Sequence, residues 1–259
     1  MRKLLLQLDS SRLPSVFDQV VAYDAGADEI MSYGGVVEGD VRDLIHGCLF
    51  TRGSKDLHNT AVWIGGANMS AGEQLLAAAQ DALFDPFSVS MMLDSNGSNT
   101  TAVAAVVKIE QTVGDLQGKR AVVVGGTGPV GLRAAGLLAK VGANVLITSR
   151  KPEVGERAKR SIIERFGGTV EAVAMADTAQ AAGVVEGAEI LLNAGAAGIM
   201  MIPRGAWAGR RGLIVAVDLN AVPPLGIEGI EVGDTAVARD GATVFGAFGV
   251  GNFKTKLHK

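Results

Sequence analysis

The chain has 259 residues, 48% of them hydrophobic and 20% charged, with 24 basic against 27 acidic side chains and a single cysteine. That apolar content excludes a disordered chain, suffices for a core in one or two domains, and contains no run near the ~18 residues of a bilayer span. The lone Cys48 excludes an internal disulfide or a multi-cysteine metal site, and near-neutral charge with 5% aromatic residues offers no surface for nucleic acid.

Met1 to Ser11 carries two basic residues but no signal-peptide core, so a reducing cytoplasm is the expected compartment and no membrane partner is expected. Strand-like runs at Lys3–Leu8, Glu29–Tyr33, Thr60–Gly65 and Phe87–Met92 alternate with helical patterns at Pro14–Ala25, Glu38–Leu49, Ser70–Phe84 and Asn99–Val113. Such alternation predicts parallel β/α units. Gly114 to Lys119 reads as a polar linker. Beyond it come a strand at Arg120–Val124, a helix at Pro129–Val141, a strand at Asn144–Thr148, a helix at Pro152–Phe166 and a strand at Thr169–Ala174. Further strands are predicted at Glu189–Asn193 and Leu213–Val217.

Composition divides the chain in the same place. Residues 1–113 hold 10 glycines and 7 basic against 14 acidic residues, whereas residues 114–259 hold 25 glycines and 17 basic against 13 acidic residues. The expected architecture is therefore α/β throughout: an N-terminal α/β substrate domain over 1–113, a Rossmann-type doubly wound parallel sheet over 114–259, and a cleft between them. The positive half is the one expected to hold an anion.

Gly126-Thr127-Gly128-Pro129-Val130-Gly131 is a G-x-G-x-x-G between a β-branched strand and a helix, the context that makes this short motif a dinucleotide site. The first glycine is expected to allow the tight turn, the second to admit a pyrophosphate, and the third to let helix and strand pack. The next strand ends in Thr148-Ser149-Arg150-Lys151, without the carboxylate that would hold a free ribose hydroxyl. Two cations and two hydroxyls there favour the 2′-phosphate of NADP, the alternative being a solvated helix start. Ala194, Gly195, Asp218 and Asn220, at later strand ends, either flank the nicotinamide half or form structural turns.

Asp94 to Thr101 is a second polar cluster, six of its eight residues bearing a hydroxyl or an amide. It reads as a substrate-binding loop at the cleft, or else as an elaborate helix cap. His46, His58 and His258 show no metal-ligand or catalytic-triad spacing. Lys254 and Lys256 either face a ligand or belong to a solvated tail. An NADP enzyme with no evident base points to hydride release that needs no proton abstraction.

PSVFD (14–18), YDAGAD (23–28), MLDSNGSNTT (92–101), GTGPVG (126–131), SRK (149–151), NAVPPLGIEGI (220–230) and the ending through KTKLH closely resemble the NADP-dependent methylenetetrahydromethanopterin dehydrogenases of methylotrophic bacteria. The resemblance runs over almost the whole chain. It implies oxidation of methylenetetrahydromethanopterin, and in some relatives methylenetetrahydrofolate, to the methenyl form with NADP as hydride acceptor. It implies Lys254 beside the pterin; Phe17, Asp18, Asp94, Ser95, Asn96, Ser98, Asn99 and Thr100 as the pterin-side wall; and Gly126 to Val130, with Arg150 and Lys151, on the NADP side. It also implies a homo-oligomer, and relatives that continue past the KLH segment by about a helix pair packed on the first domain. An idle NADP- or pterin-binding protein, or a dehydrogenase of the same architecture with another small substrate, is the alternative, and the choice between methanopterin and folate stays open.

Overall fold

Alternate residues of Leu4–Asp9 (β1) point to opposite faces of a sheet. The computed structural model, which describes residues 1–259, continues from it in β/α order. α1 (Val16–Asp24), β2 (Glu29–Gly34), α2 (Glu38–Leu49), β3 (Thr60–Gly65), α3 (Met69–Asp81) and β4 (Ser90–Leu93) complete a parallel sheet of order β2-β1-β3-β4. Leu6 and Leu8, with Val62 and Ile64, bury against Val41, Ile45 and Leu49 of α2 and Leu75 and Ala79 of α3. Each such side chain contributes roughly 1.5–3 kcal/mol by leaving water. The opposite face meets α1 through polar contacts. Gln19 Nε2 donates to Gln7 Oε1 at 3.0 Å, and Trp63 Nε1 donates to Asp18 Oδ2 at 3.2 Å. The Ser15 hydroxyl accepts the Asp18 N–H at 3.2 Å to start α1, and Gly26, at φ +97°, follows its end.

Then follow α4 (Ser98–Val113), β5 (Arg120–Val124), α5 (Pro129–Lys140), β6 (Asn144–Ser149), α6 (Pro152–Phe166), β7 (Thr169–Ala174), the single turn α7 (Ala181–Val184) and β8 (Ile190–Asn193). A further single turn, α8 (Arg204–Trp207), leads to β9 (Val215–Asp218), the hairpin β10 (Thr235–Arg239) and β11 (Ala242–Phe245), and α9 (Ala247–His258). The second sheet has order β10-β11-β9-β8-β5-β6-β7, parallel except for β10. Its central strands, β5, β6, β8 and β9, are covered on both faces and so almost wholly buried, whereas the edge strands β10 and β7 are largely exposed. Ala121 and Val123 enter one core with Ala134 and Leu138 of α5, while Val122 and Val124 enter the other with Trp207. Strand order reverses between β5 and β8, and the crevice at their carboxyl ends is where open α/β sheets bind ligands. No helix is long and apolar enough to cross a membrane.

The chain divides into two compact units, Met1–Asn99 with His258–Lys259, and Thr100–Leu257. Packing sets this division within the first turn of α4, whereas composition sets it at 113. The reason is that Ala102, Ala105, Val106 and Ile109 of α4 join the core of the second unit. Gly114–Lys119 is accordingly a turn inside that unit. The fourth strand starts at Ser90, three residues later than periodicity predicts, because the Phe87 N–H closes a turn on Phe84 O at 2.7 Å. The ending is a helix, α9, where a solvated tail was the simpler expectation. Gly246 and Gly249, which argue against a helix in sequence, are there for close approach: a Cβ would lie 2.0 Å from Glu231 O and 2.1 Å from Asp234 O respectively.

Glu189 joins the starts of the two central strands, its carboxylate accepting from Lys119 Nζ at 2.8 Å and from the Arg120 N–H at 3.1 Å. These hydrogen bonds, the lysine's first, hold its carboxyl below the ordinary glutamate range. A carboxyl lowered in the folded state stabilises above its unfolded pKa, and that stabilisation is lost as pH falls through the folded value. Glu189→Gln is expected to lower the melting temperature by about 1–3 °C at neutral pH, since the pair is partly solvated. Scanning calorimetry should show the gap to the parent closing as pH drops through the carboxylate range; a gap independent of pH would refute the assignment.

Candidate active site

The turn after β5 is built from close backbone contacts. Gly125 takes φ +71°, a left-handed conformation suited to glycine, and its N–H donates to Thr148 Oγ1 at 3.1 Å. This corrects the expected division of labour, since the left-handed residue precedes the hexapeptide. Gly126 is needed for another reason: a Cβ there would sit 2.6 Å from Ile147 Cβ on β6. At Gly131 a Cβ would lie 2.3 Å from Gly125 O, so only glycine lets α5 begin against the strand end. Gly128 differs. Its Cβ would meet nothing in the chain nearer than 3.4 Å, so internal packing does not demand glycine there. Gly128 is the N-cap of α5 and Pro129 its first residue, which leaves the N–H groups of the first turn facing the loop. Buried Arg133, whose guanidinium reaches Pro129 O at 3.4 Å, adds positive charge in that turn.

β6 delivers the next group. Thr148 is buried and fastened to the glycine loop, and the Ser149 hydroxyl donates to Lys151 O at 2.8 Å. Ser149 thus shapes the strand-to-helix turn, while Arg150 and Lys151 are exposed at the start of α6. Cations at a helix N-terminus oppose its dipole, and this pair stands there with no carboxylate at the strand end. The site fits an adenosine 2′-phosphate by charge, and the glycine turn with the α5 N-terminus fits a pyrophosphate.

At the ends of β8 and β9 a buried network fixes the loops. Asn193 Nδ2 donates to Asp218 Oδ1 at 2.8 Å, and the N–H groups of Asn220 and Ile227 donate to the same carboxylate at 3.0 and 2.8 Å. The Gly195 N–H donates to Asn193 Oδ1 at 3.1 Å, and Asn220 Oδ1 accepts the Val222 N–H at 3.0 Å. Asp218 and Asn220 are both buried, so their part is to shape the loop; Ala194 and Gly195 lie partly open beside Gly125.

In the first unit the strand ends gather a second polar cluster. Asp9 closes β1 and accepts the N–H groups of Ser11 and Ser15 at 2.7 and 3.0 Å. Asp94 follows β4, its Oδ1 accepting the Asn99 N–H at 2.8 Å. Ser95 donates to Gly65 O, Ser98 to Ser95 O, and Asn99 Nδ2 to Leu93 O. Most hydroxyls and amides of the loop therefore serve the loop, and Ser95, Ser98 and Thr100 are buried; Asn96 alone of this set is exposed, in a left-handed conformation at φ +58°. Phe17 is about half exposed on α1, with Asp18 in the following position. A depression of about 420 Å³ opens on the α1 face, lined by Leu5, Ala22, Ala61, Trp63, Met92 and His258 among others. Lys254 belongs to the second unit, on α9, half-buried and one helical turn before His258.

The bifunctional protein MdtA of Methylorubrum extorquens is 45% identical over 259 residues, which is all of this chain and 90% of that protein. The NAD(P)-dependent methylenetetrahydromethanopterin dehydrogenase of the same organism is 33% identical over 265 residues, covering 98% of this chain and 88% of the relative. The family model for the N-terminal part of methylene-tetrahydromethanopterin dehydrogenase matches residues 16–96. The chain belongs to the methylenetetrahydromethanopterin dehydrogenase family. Among solved structures, a shikimate dehydrogenase in complex with NADP+ superposes with a TM-score of 0.60 at 15% identity over 99% of this chain and 88% of that one. The Listeria monocytogenes shikimate 5-dehydrogenase gives 0.61 at 13% identity over 99% and 90%. At such identities these two structures speak to the fold alone.

Sequence reading of this family member missed several residues that organise the site: Gly125, Arg133, Asn193, Trp63, Asp9 and His258. A buried arginine amid Leu-Arg-Ala-Ala was a usable signal; the others emerge only when strand ends from distant segments converge. The glycines yield a test of geometry. Gly131→Ala is expected to cost about 1–3 kcal/mol, because backbone rather than a movable side chain blocks the new methyl. Gly128→Ala should unfold in urea within about 0.5 kcal/mol of the parent, as a surface change does. Equal losses would contradict the contacts described.

Proposed function

We propose that this protein oxidises a methylene tetrahydropterin, methylenetetrahydromethanopterin or its folate counterpart, to the methenyl form with NADP as acceptor. The observation that carries the reading is the joint presence, in a member of this family, of the glycine turn at the head of α5 and the Arg150–Lys151 pair beyond β6. NADP, when bound, supplies the hydride-accepting nicotinamide.

The chain's own residues then divide the work. Gly126, Thr127, Val130 and Gly131 bring backbone N–H groups to the pyrophosphate, while Gly128 leaves it room and Pro129, which has no N–H, sets the first turn of α5. Arg150 and Lys151 hold the 2′-phosphate, with Ser149 fixing their turn. Ala194 and Gly195 leave room at the nicotinamide end, and Asp218 with Asn220 keeps that loop in place. Phe17 and Asp18, with the loop of Asp94, Ser95, Asn96, Ser98, Asn99 and Thr100, form the pterin side. The methylene carbon lies between two nitrogens, so hydride loss leaves a self-stabilised amidinium and no base is required. Catalysis is then mainly orientation and field. Lys254 orients the pterin and tunes charge near the developing cation.

The decisive assay is NADPH absorbance on mixing the purified protein with NADP and each methylene carrier; tight NADP binding without turnover on either carrier would sink the proposal. Arg150→Asp should raise KM for NADP by about 10- to 100-fold while changing KM for NAD little, the loss of a charge-assisted contact. Equal effects on the two cofactors would remove the 2′-phosphate assignment. Lys254→Ala should lower kcat by about 100-fold, a typical loss for one preorganised electrostatic group, with NADP affinity nearly unchanged. An unaltered kcat would take Lys254 out of the site.

A further inference from the structure

His258 has no part in the hydride transfer just described, yet its buried ring meets Phe17, Asp18, Trp63 and Asp94 of the first unit. Its side chain is 3% exposed. The ring lies on the Trp63 indole with centroids 4.3 Å apart, and meets Phe17 edge-on at 5.5 Å. Nε2 stands 3.4 Å from Asp18 Oδ1, and Nδ1 stands 3.4 Å from Asp94 Oδ2. The far oxygens of both carboxylates are engaged too, Asp18 Oδ2 by Trp63 Nε1 and Asp94 Oδ1 by the Asn99 N–H.

A neutral imidazole has one N–H and one lone pair, so it can donate towards only one of these carboxylates and would turn its lone pair on the other. An imidazolium donates towards both. Two carboxylates held this close, one of them fully enclosed, also require a counter-charge, since burying unpaired charge costs several kcal/mol. Charged groups facing the ring include Asp18 from α1 and Asp94 from the loop after β4. On its own segment, Lys254 lies one turn earlier, and Lys259, next in the chain, pairs with Asp24 at 3.0 Å.

We propose that His258 is a positioning residue of the pterin side: as an imidazolium it bridges Asp18 and Asp94 and so holds α1, with Phe17, in register with the loop after β4. This rests on the pterin-side reading above for its link to substrate, but the charge state of the bridge does not.

Two measurements separate the parts. In ¹⁵N-edited NMR, the histidine signal that vanishes in His258→Gln should show the doubly protonated pattern at neutral pH; a neutral ring would overturn the bridge whether or not the enzyme turns over. In steady-state kinetics, His258→Gln should raise KM for the methylene carrier by about 10-fold, the value of one buried charge contact, leaving KM for NADP unchanged. His258→Gln combined with Asp94→Asn should cost less than the sum of the two single changes. An imidazolium signal with an unmoved carrier KM would overturn the positioning role. Absence of turnover in the parent protein would defeat the proposed function instead, and the NMR result would still decide the bridge.

Discussion

Gly131 lies so close to Gly125 that a single methyl group would close the space between the start of α5 and the end of β5. This contact aims the helix N-terminus at the mouth of the turn, where unpaired N–H groups and the helix dipole together favour an anion. It also governs the neighbouring strand. With Gly126 pressed on Ile147 and the Gly125 N–H bound to Thr148, the end of β6 is fixed relative to the turn, and the next two residues along β6 and its extension lead to Arg150. One set of glycine contacts therefore places both the open start of α5 and the cations beyond β6.

The first unit solves an opposite electrostatic problem. Its sequence carries twice as many acidic as basic residues over 1–113, and three carboxylates, Asp9, Asp18 and Asp94, converge at the carboxyl ends of its strands. Each is held by donors from a different segment: backbone N–H groups for Asp9, the Trp63 indole for Asp18, the start of α4 for Asp94. Buried anions persist only with such donors and a counter-charge. The excess of acid that reads in composition as a bias of one half is thus concentrated, in part, at one built site.

Much of this architecture was legible because apolar periodicity is a local property. Glu38–Leu49, Arg120–Val124, Pro152–Phe166 and Thr169–Ala174 appear at the residues their patterns predict. What escaped was set by partners distant in sequence. Gly246, just before α9, and Gly249 within it approach the backbone of residues 231–234, and no local rule reveals that. Likewise α4 reads as the close of the first α/β unit until its alanines are seen in the second core. The hairpin of β10 and β11 lacks apolar alternation on β10, most of which is exposed.

Polar loops were the harder case, because counting hydroxyls and amides gives the number of donors and not their direction. In Asp94 to Thr100 most of them are consumed by the turn, as at Asp218 and Asn220, so richness in polar groups there is largely explained by backbone needs. A sharper criterion is a residue for which the chain supplies no reason. Gly128 has room for a side chain it lacks, and Arg150 and Lys151 set exposed cations against a helix dipole. Those three positions cost the folded chain something or gain it nothing. The proposed dinucleotide would supply the missing reason for each of them, an anion beside an open helix N-terminus and beside two exposed cations.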